Sequence, residues 1–167
     1  MTAVRAPLPV RPARIPGAVS VRAFVGADSV RWDAFVERCA NATFFHRIGW
    51  RTILEEVFRH RTHYLLAERD GAIVGVLPLA EVRSRLFGHS LVSLPFCAYG
   101  GPAADDADAE AALAGAAEAA GRHLGVDHLE LRNRSPLRPE WPRQDLYVTF
   151  RKALLPDVEQ NMLAIPR

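Results

Sequence analysis

The chain has 167 residues, 49% hydrophobic, 24% charged and 8% aromatic, a supply of apolar side chains that excludes disorder over most of its length and fits one ordinary domain or half of a larger protein. No stretch reaches the roughly 20 apolar residues a membrane-spanning helix needs, and arginines 5, 11 and 14, together with prolines, interrupt any secretory leader pattern, so the expected compartment is the cytoplasm. The 21 basic residues nearly balance the 19 acidic ones, for a net charge of +2, and the basic clusters around residues 59–61 and 132–138 are short and broken, so direct DNA binding is not expected. Cys39 and Cys97 have neither metal-ligand nor disulfide-framework spacing; both read as buried thiols and no metal is expected.

Residues 1–18, rich in Pro, Arg and Ala, read as a disordered tail. Residues 19–25 alternate as a first strand. Asp28 then stands at the N-cap of an amphipathic helix whose stripe is Trp32, Phe35, Val36 and Cys39. A second helix carries Trp50, Ile53, Leu54, Val57 and Phe58 on one face, and Arg47, Arg51, Glu55 and Arg59 on the other, so that Glu55 can pair with an arginine on either side. Residues 64–68 and 73–79 flank Asp70-Gly71, a dipeptide suited to a tight hairpin turn, with Pro78 marking a bulge or edge in the second strand. A short strand at 91–94 follows. Residues 105–125 form a helix with an acidic start, a terminal glycine and a small-residue stripe of Leu113, Ala117, Ala120 and Leu124 suited to close packing on a sheet. Strands at 128–132 and 146–150 complete the order, which predicts an α/β (α+β) fold with a mixed sheet flanked by helices.

Four stretches are more specific: Phe44-Phe45-His46-Arg47-Ile48-Gly49-Trp50, the hairpin from Ala67 to Leu79, Leu94-Pro95-Phe96-Cys97-Ala98-Tyr99-Gly100-Gly101-Pro102, and then Leu129-Glu130-Leu131-Arg132. The element order resembles the GNAT acyltransferase fold, with a largely antiparallel sheet. The stretches resemble the FemAB family, in particular its members found beside exosortase (PEP-CTERM) and exopolysaccharide genes. The resemblance covers roughly residues 19–167 and only the first half of the family's length. It implies a GNAT-like domain over 19–155 and, at 156–167, the start of a helix cut short. Family members have two such domains and transfer amino acids from aminoacyl-tRNA to the peptide of a cell-wall precursor. The implied role is therefore an acceptor-binding N-terminal half acting on a peptidoglycan- or exopolysaccharide-related precursor, a peptide- or sugar-linked molecule, with a second GNAT-like domain as partner. Aminoacyl-tRNA or acyl-CoA is the possible donor for the full-length family, and no cofactor is assigned to this half. The other expectations are a non-catalytic binding or assembly module in polysaccharide export, and a single-domain CoA-dependent N-acetyltransferase.

The candidate acceptor contacts are His46, Arg51, Tyr99 and Gly100; the catalytic residues stay unassigned. His46 stands at the mouth of the second helix, either as a substrate contact near backbone donors or as a cap over the two phenylalanines. Trp50 shares the face of Ile53, Leu54 and Val57 and reads mainly as core. Arg47 and Arg51 form a solvated face or hold a phosphate or carboxylate between them. Tyr99 with its paired glycines suits either the floor of a cleft or a structural turn. GNAT enzymes that use acyl-CoA hold its pyrophosphate on a glycine-rich loop at a helix N-terminus. Arg85-Leu86-Phe87-Gly88-His89-Ser90 nearly matches that loop but leads into a strand pattern, which argues against CoA binding. His128 and Glu130 share a strand face, where a carboxylate can serve as a base, or simply form a polar outer surface.

Overall fold

In the computed structural model the described residues are 17–84, 86, 88–144 and 153–165. The expected strand at 146–150 and residues 1–16 of the expected tail lie outside them. The chain forms two units, the first ending at Pro136 and the second running from Leu137.

The first unit holds two four-stranded sheets. In one, β1 (Ser20–Ala23) pairs antiparallel with β3 (Leu65–Arg69), β3 with β4 (Ala72–Leu77), and β4 with the two-residue β7 (Ala103–Ala104). The β3–β4 turn is the expected one: Asp70 has φ 49° and Gly71 φ 87°, the positive angles of a mirror-image turn. In the other sheet the order is β2 (Arg61–Thr62), β5 (Leu79–Ser84), β6 (Gly88–Ser93) and β8 (His128–Glu130). All pairs in the two sheets are antiparallel except β6–β8, which is parallel and spans the intervening helix α3 (Ala107–Leu124). The fold is thus α/β, with largely antiparallel sheets flanked by helices.

Two strand boundaries differ from the sequence reading. Pro78 does not bulge a single strand: β4 ends at Leu77, β5 begins at Leu79, and the chain changes sheets at the proline. Residues 73–80 are all buried, so no alternation of apolar and polar side chains marks the crossing. The strand expected at 91–94 begins at Gly88, so part of the CoA-loop candidate is β-structure.

Helix α1 (Ser29–Arg38) buries Trp32, Phe35 and Val36, and Cys39 just beyond it, as the stripe requires. Asp28 precedes it, but its carboxylate does not cap the helix. It accepts from the Val25 N–H at 3.0 Å and from two Arg22 nitrogens at 2.7 Å, with Arg31 at 3.3 Å. Arg22 and Arg31 also bond Glu68, joining β1, α1 and β3.

The second helix departs most from expectation. One α-turn, α2 (Gly49–Thr52), passes into a π-turn over Ile53–Val57, closed by the Phe58 N–H on the Ile53 carbonyl at 3.3 Å. A π-turn rotates each residue by less than an α-turn, so a 3.6-residue stripe loses register. Only Leu54 of the expected face is fully buried; Ile53, Val57 and Phe58 are exposed. The Arg51–Glu55 pair forms at 2.9 Å, while Arg47 turns to Glu37 at 2.8 Å.

Helix α3 starts on Asp106, whose carboxylate accepts the Ala109 N–H at 2.9 Å, and ends at Gly125 with φ 63°. Ala109, Leu113 and Ala117 pack on the sheets over Leu77, Leu79 and Leu91. The approach is close: a Cβ on Gly75 would sit 2.9 Å from Leu113 Cδ1. A second core gathers Trp32, Phe35, Leu54, Tyr64, Leu66 and Val76 under α1.

In the second unit the Arg138 guanidinium lies 5.4 Å from the Trp141 ring centroid. Asp157 caps α4 (Val158–Leu163) through the Gln160 N–H at 2.9 Å, and the Asn161 amide bonds both backbone groups of Leu155. Met162, Leu163 and Ile165 are exposed.

Candidate functional site

Because β2 runs back beside the α2–π segment, Arg51, Glu55 and Thr62 meet. Arg51 Nε donates to Thr62 Oγ1 at 3.1 Å, a terminal Arg51 nitrogen holds Glu55 at 2.9 Å, and the Thr62 hydroxyl donates to the same Glu55 oxygen. The guanidinium also lies 5.2 Å from the Phe24 ring centroid. All three residues are half-buried, so the cluster offers a fixed guanidinium and carboxylate to a ligand without burying either charge.

Past the π-turn an aromatic stack stands in solvent. Phe58 and Phe96 lie face to face, 4.3 Å between centroids at 23°, and His60 continues the stack 5.8 Å from Phe96 at 15°. Phe96 is 62% exposed and Phe58 41%. The backbone bends unfavourably to present them: Phe96 has φ 71°, Leu94 φ 46°, and Arg59, between the other two rings, φ 58°. Left-handed backbone at a non-glycine residue costs roughly 1–2 kcal/mol, and such strain gathers at ligand clamps and active sites. In the core under α1, Tyr64 is 3% exposed and stacked on Trp32 at 5.3 Å. Its hydroxyl finds no hydrogen-bond partner among the described residues. Burial pushes that phenol well above the usual range, with the Cys97, Arg51 and Glu55 charges as smaller influences.

The four residues singled out by sequence fall in different roles. His46 is 2% exposed and uses both ring nitrogens: Nδ1 accepts the Thr43 N–H at 3.1 Å, and Nε2–H donates to the Gly101 carbonyl at 2.9 Å. Burial holds its pKa below the usual imidazole value. It therefore ties the turn at Phe44–His46 to the Tyr99–Gly101 loop. The phenylalanines beside it are not packed beneath as a pair, since Phe44 is 73% exposed and touches Trp50 edge-on. Gly100 is buried and close-packed against its own chain: a Cβ there would meet the Leu94 Cβ at 2.5 Å and the Ser93 carbonyl at 2.9 Å. The N–H groups of Gly100 and Gly101 both donate to the Arg132 carbonyl. Tyr99 is half-buried on the same loop, and Arg51 belongs to the cluster at β2. Sequence reasoning places Phe58 on a helix face, Glu55 as an arginine partner and Phe96 within the resembling stretch, but makes none of them, nor His60 or Thr62, a site residue.

The α3 N-terminus, where an anion would meet free backbone donors, is already filled. Asp106 caps it and is held by Arg69 at 2.7 Å, which keeps its carboxyl at about 2; Asp105 is bridged to Arg38 at 3.0 Å, and Asp108 and Glu110 add charge in the first turn. That end repels phosphate. His128 and Glu130 are exposed on β8, and Glu130 pairs with Arg132 at 2.7 Å.

No protein-family model matches the chain, and no curated protein matches it. Among solved structures, a GNAT family acetyltransferase from Staphylococcus aureus subsp. aureus USA300_TCH1516 is similar at 14% identity and a TM-score of 0.47, over 82% of this chain and 99% of that one. Identity that low transfers no activity and no residue role.

Proposed function

We propose that this chain is a GNAT-like domain of FemAB-related type that binds the acceptor of an acyl or aminoacyl transfer, a peptide- or sugar-linked cell-envelope precursor, and that donor binding falls to a second domain. The observation that carries this reading is the exposed Phe58–Phe96–His60 stack, held in strained backbone beside the Arg51–Glu55–Thr62 cluster. Flat rings take the apolar face of a sugar or a peptide plane, while the guanidinium and carboxylate hydrogen-bond its polar edge. Positioning an amine acceptor in this way supplies much of what a transfer needs. The Asp106-capped α3 argues against a CoA-dependent reading, because GNAT enzymes need such a helix end for the donor's pyrophosphate.

Calorimetric titration of the full chain tests the reading, with a soluble muramyl-pentapeptide and acetyl-CoA as probes. The muramyl-pentapeptide should bind saturably, Phe96→Ala should weaken it about tenfold, and acetyl-CoA should give no heat beyond dilution. Acetyl-CoA binding at micromolar affinity, or failure of the muramyl-pentapeptide to bind, overturns it.

A further inference from the structure

Glu81, in the middle of β5, is only 3% exposed. Burial works against its charge, but donors from Arg83 Nε at 2.5 Å, His63 Nε2 at 3.2 Å and His89 Nε2 at 2.7 Å outweigh that and hold its carboxyl at about 2. An ionised carboxylate only accepts, so each imidazole gives it an Nε2–H and, when neutral, keeps a bare lone pair on Nδ1. His46 spends both ring nitrogens on backbone groups. His63 and His89 spend one: among the described residues, neither Nδ1 and neither terminal nitrogen of Arg83 has a partner.

His89 is also fixed from behind. Its N–H donates to Asp127 Oδ2 and its carbonyl accepts the Asp127 N–H, both at 2.7 Å. Gly88, at φ 80°, has no room for a Cβ, which would lie 2.5 Å from that same carboxylate oxygen. Arg83, Ser84, Gly88, His89 and Asp127 line a shallow cleft of about 400 Å³.

We propose that this cleft is a second ligand-binding site, in which His89, oriented by Glu81, accepts a hydrogen bond at Nδ1 from a hydroxyl or ammonium group of a small ligand whose carboxylate or phosphate rests on the free end of Arg83. No covalent bond changes: the ligand keeps its proton, and the ring keeps its Nε2–H on Glu81. Glu81 is the positioning residue and His89 the group that meets the ligand. The site shares no residue with the stack and cluster described above, so either assignment can fail alone.

Long-range proton–nitrogen spectra of the full chain at pH 7.5 test it, with inorganic phosphate and lactate as separate probes. The expected result is a His89 ring protonated at Nε2 and bare at Nδ1, with saturable displacement of the Nδ1 signal by at least one probe. Saturation by phosphate alone assigns a phosphorylated ligand, and saturation by lactate assigns a hydroxy acid. Arg83→Leu, at a side chain 66% exposed and outside the core, should weaken that binding about tenfold. Glu81→Gln should bring in the Nδ1–H form, a change that loss of packing alone does not produce. An Nδ1–H ring in the wild type, no saturable shift with either probe, or unchanged affinity in Arg83→Leu overturns the proposal.

Discussion

His46 shows how one side chain can join distant parts of a chain while staying uncharged. Its Nε2–H reaches a carbonyl 55 positions away, and burial keeps the ring neutral in the folded state. The unfolded chain takes up a proton near pH 6.5 that the folded one resists, so stability is complete above that pH and falls as pH drops below it. Urea melts at pH 7.5 and 5.5 should show this loss, and His46→Gln should remove its share of the difference. Gly100 makes the opposite kind of contribution, through what it lacks. Gly100→Ala drives a methyl into the Leu94 Cβ and the Ser93 carbonyl and should cost at least the roughly 1–3 kcal/mol of overpacking, read from thermal melts. The sequence pointed to both residues, yet it could not choose between ligand contact and internal tie. That choice depends on Gly101, Ser93 and Leu94, which only the folded loop brings into contact with them.

Elements specified by local chemistry match their expectations. The Asp70-Gly71 turn, the α1 stripe, and the acidic start and terminal glycine of α3 are each decided within about four residues. The π-turn is different. Residues 47–59 spell an ordinary amphipathic helix, and the extra backbone residue that turns Ile53, Val57 and Phe58 outward has no signature of its own. The consequence is that the candidate site sits where the pattern failed, at the element whose apolar face enters the core fully only at Leu54. For α3 the chemistry of the start can be tested directly. Asp106 serves the helix through Ala109 N–H and the sheet through Arg69, so Asp106→Ala should lower Tm more than Asp105→Ala, whose bridge to Arg38 lies in solvent.

At the scale of the molecule, three buried carboxylates among the described residues anchor the sheets to what surrounds them. Asp28 and Glu68 hold Arg22 and Arg31, and Glu81 holds the β2–β5–β6 cluster. Arg22 draws Asp28 down to about 2 and lowers Glu68, while Glu81 is held at about 2 by its three donors against the opposing effect of burial. Carboxylates lowered on folding stabilise above their unfolded values and lose that contribution as they protonate. Below the modest loss that His46 brings under about pH 6.5, the carboxylate contribution should hold down to about pH 4.5 and Tm should then fall steeply between about 4 and 2, with Glu81→Gln flattening part of that steep fall. The fold class was legible in the order of strands and helices, but the division into two sheets was not, because it happens inside a uniformly buried run. That division sits on one imino acid. Pro78 is fully buried and has no amide hydrogen to pass a ladder bond onward, so the two networks of backbone bonds share a covalent chain without sharing protection. In deuterium uptake, β3–β4 and β5–β6 are then free to open as separate cooperative blocks at separate rates, and a ligand that quiets one block need not slow the other.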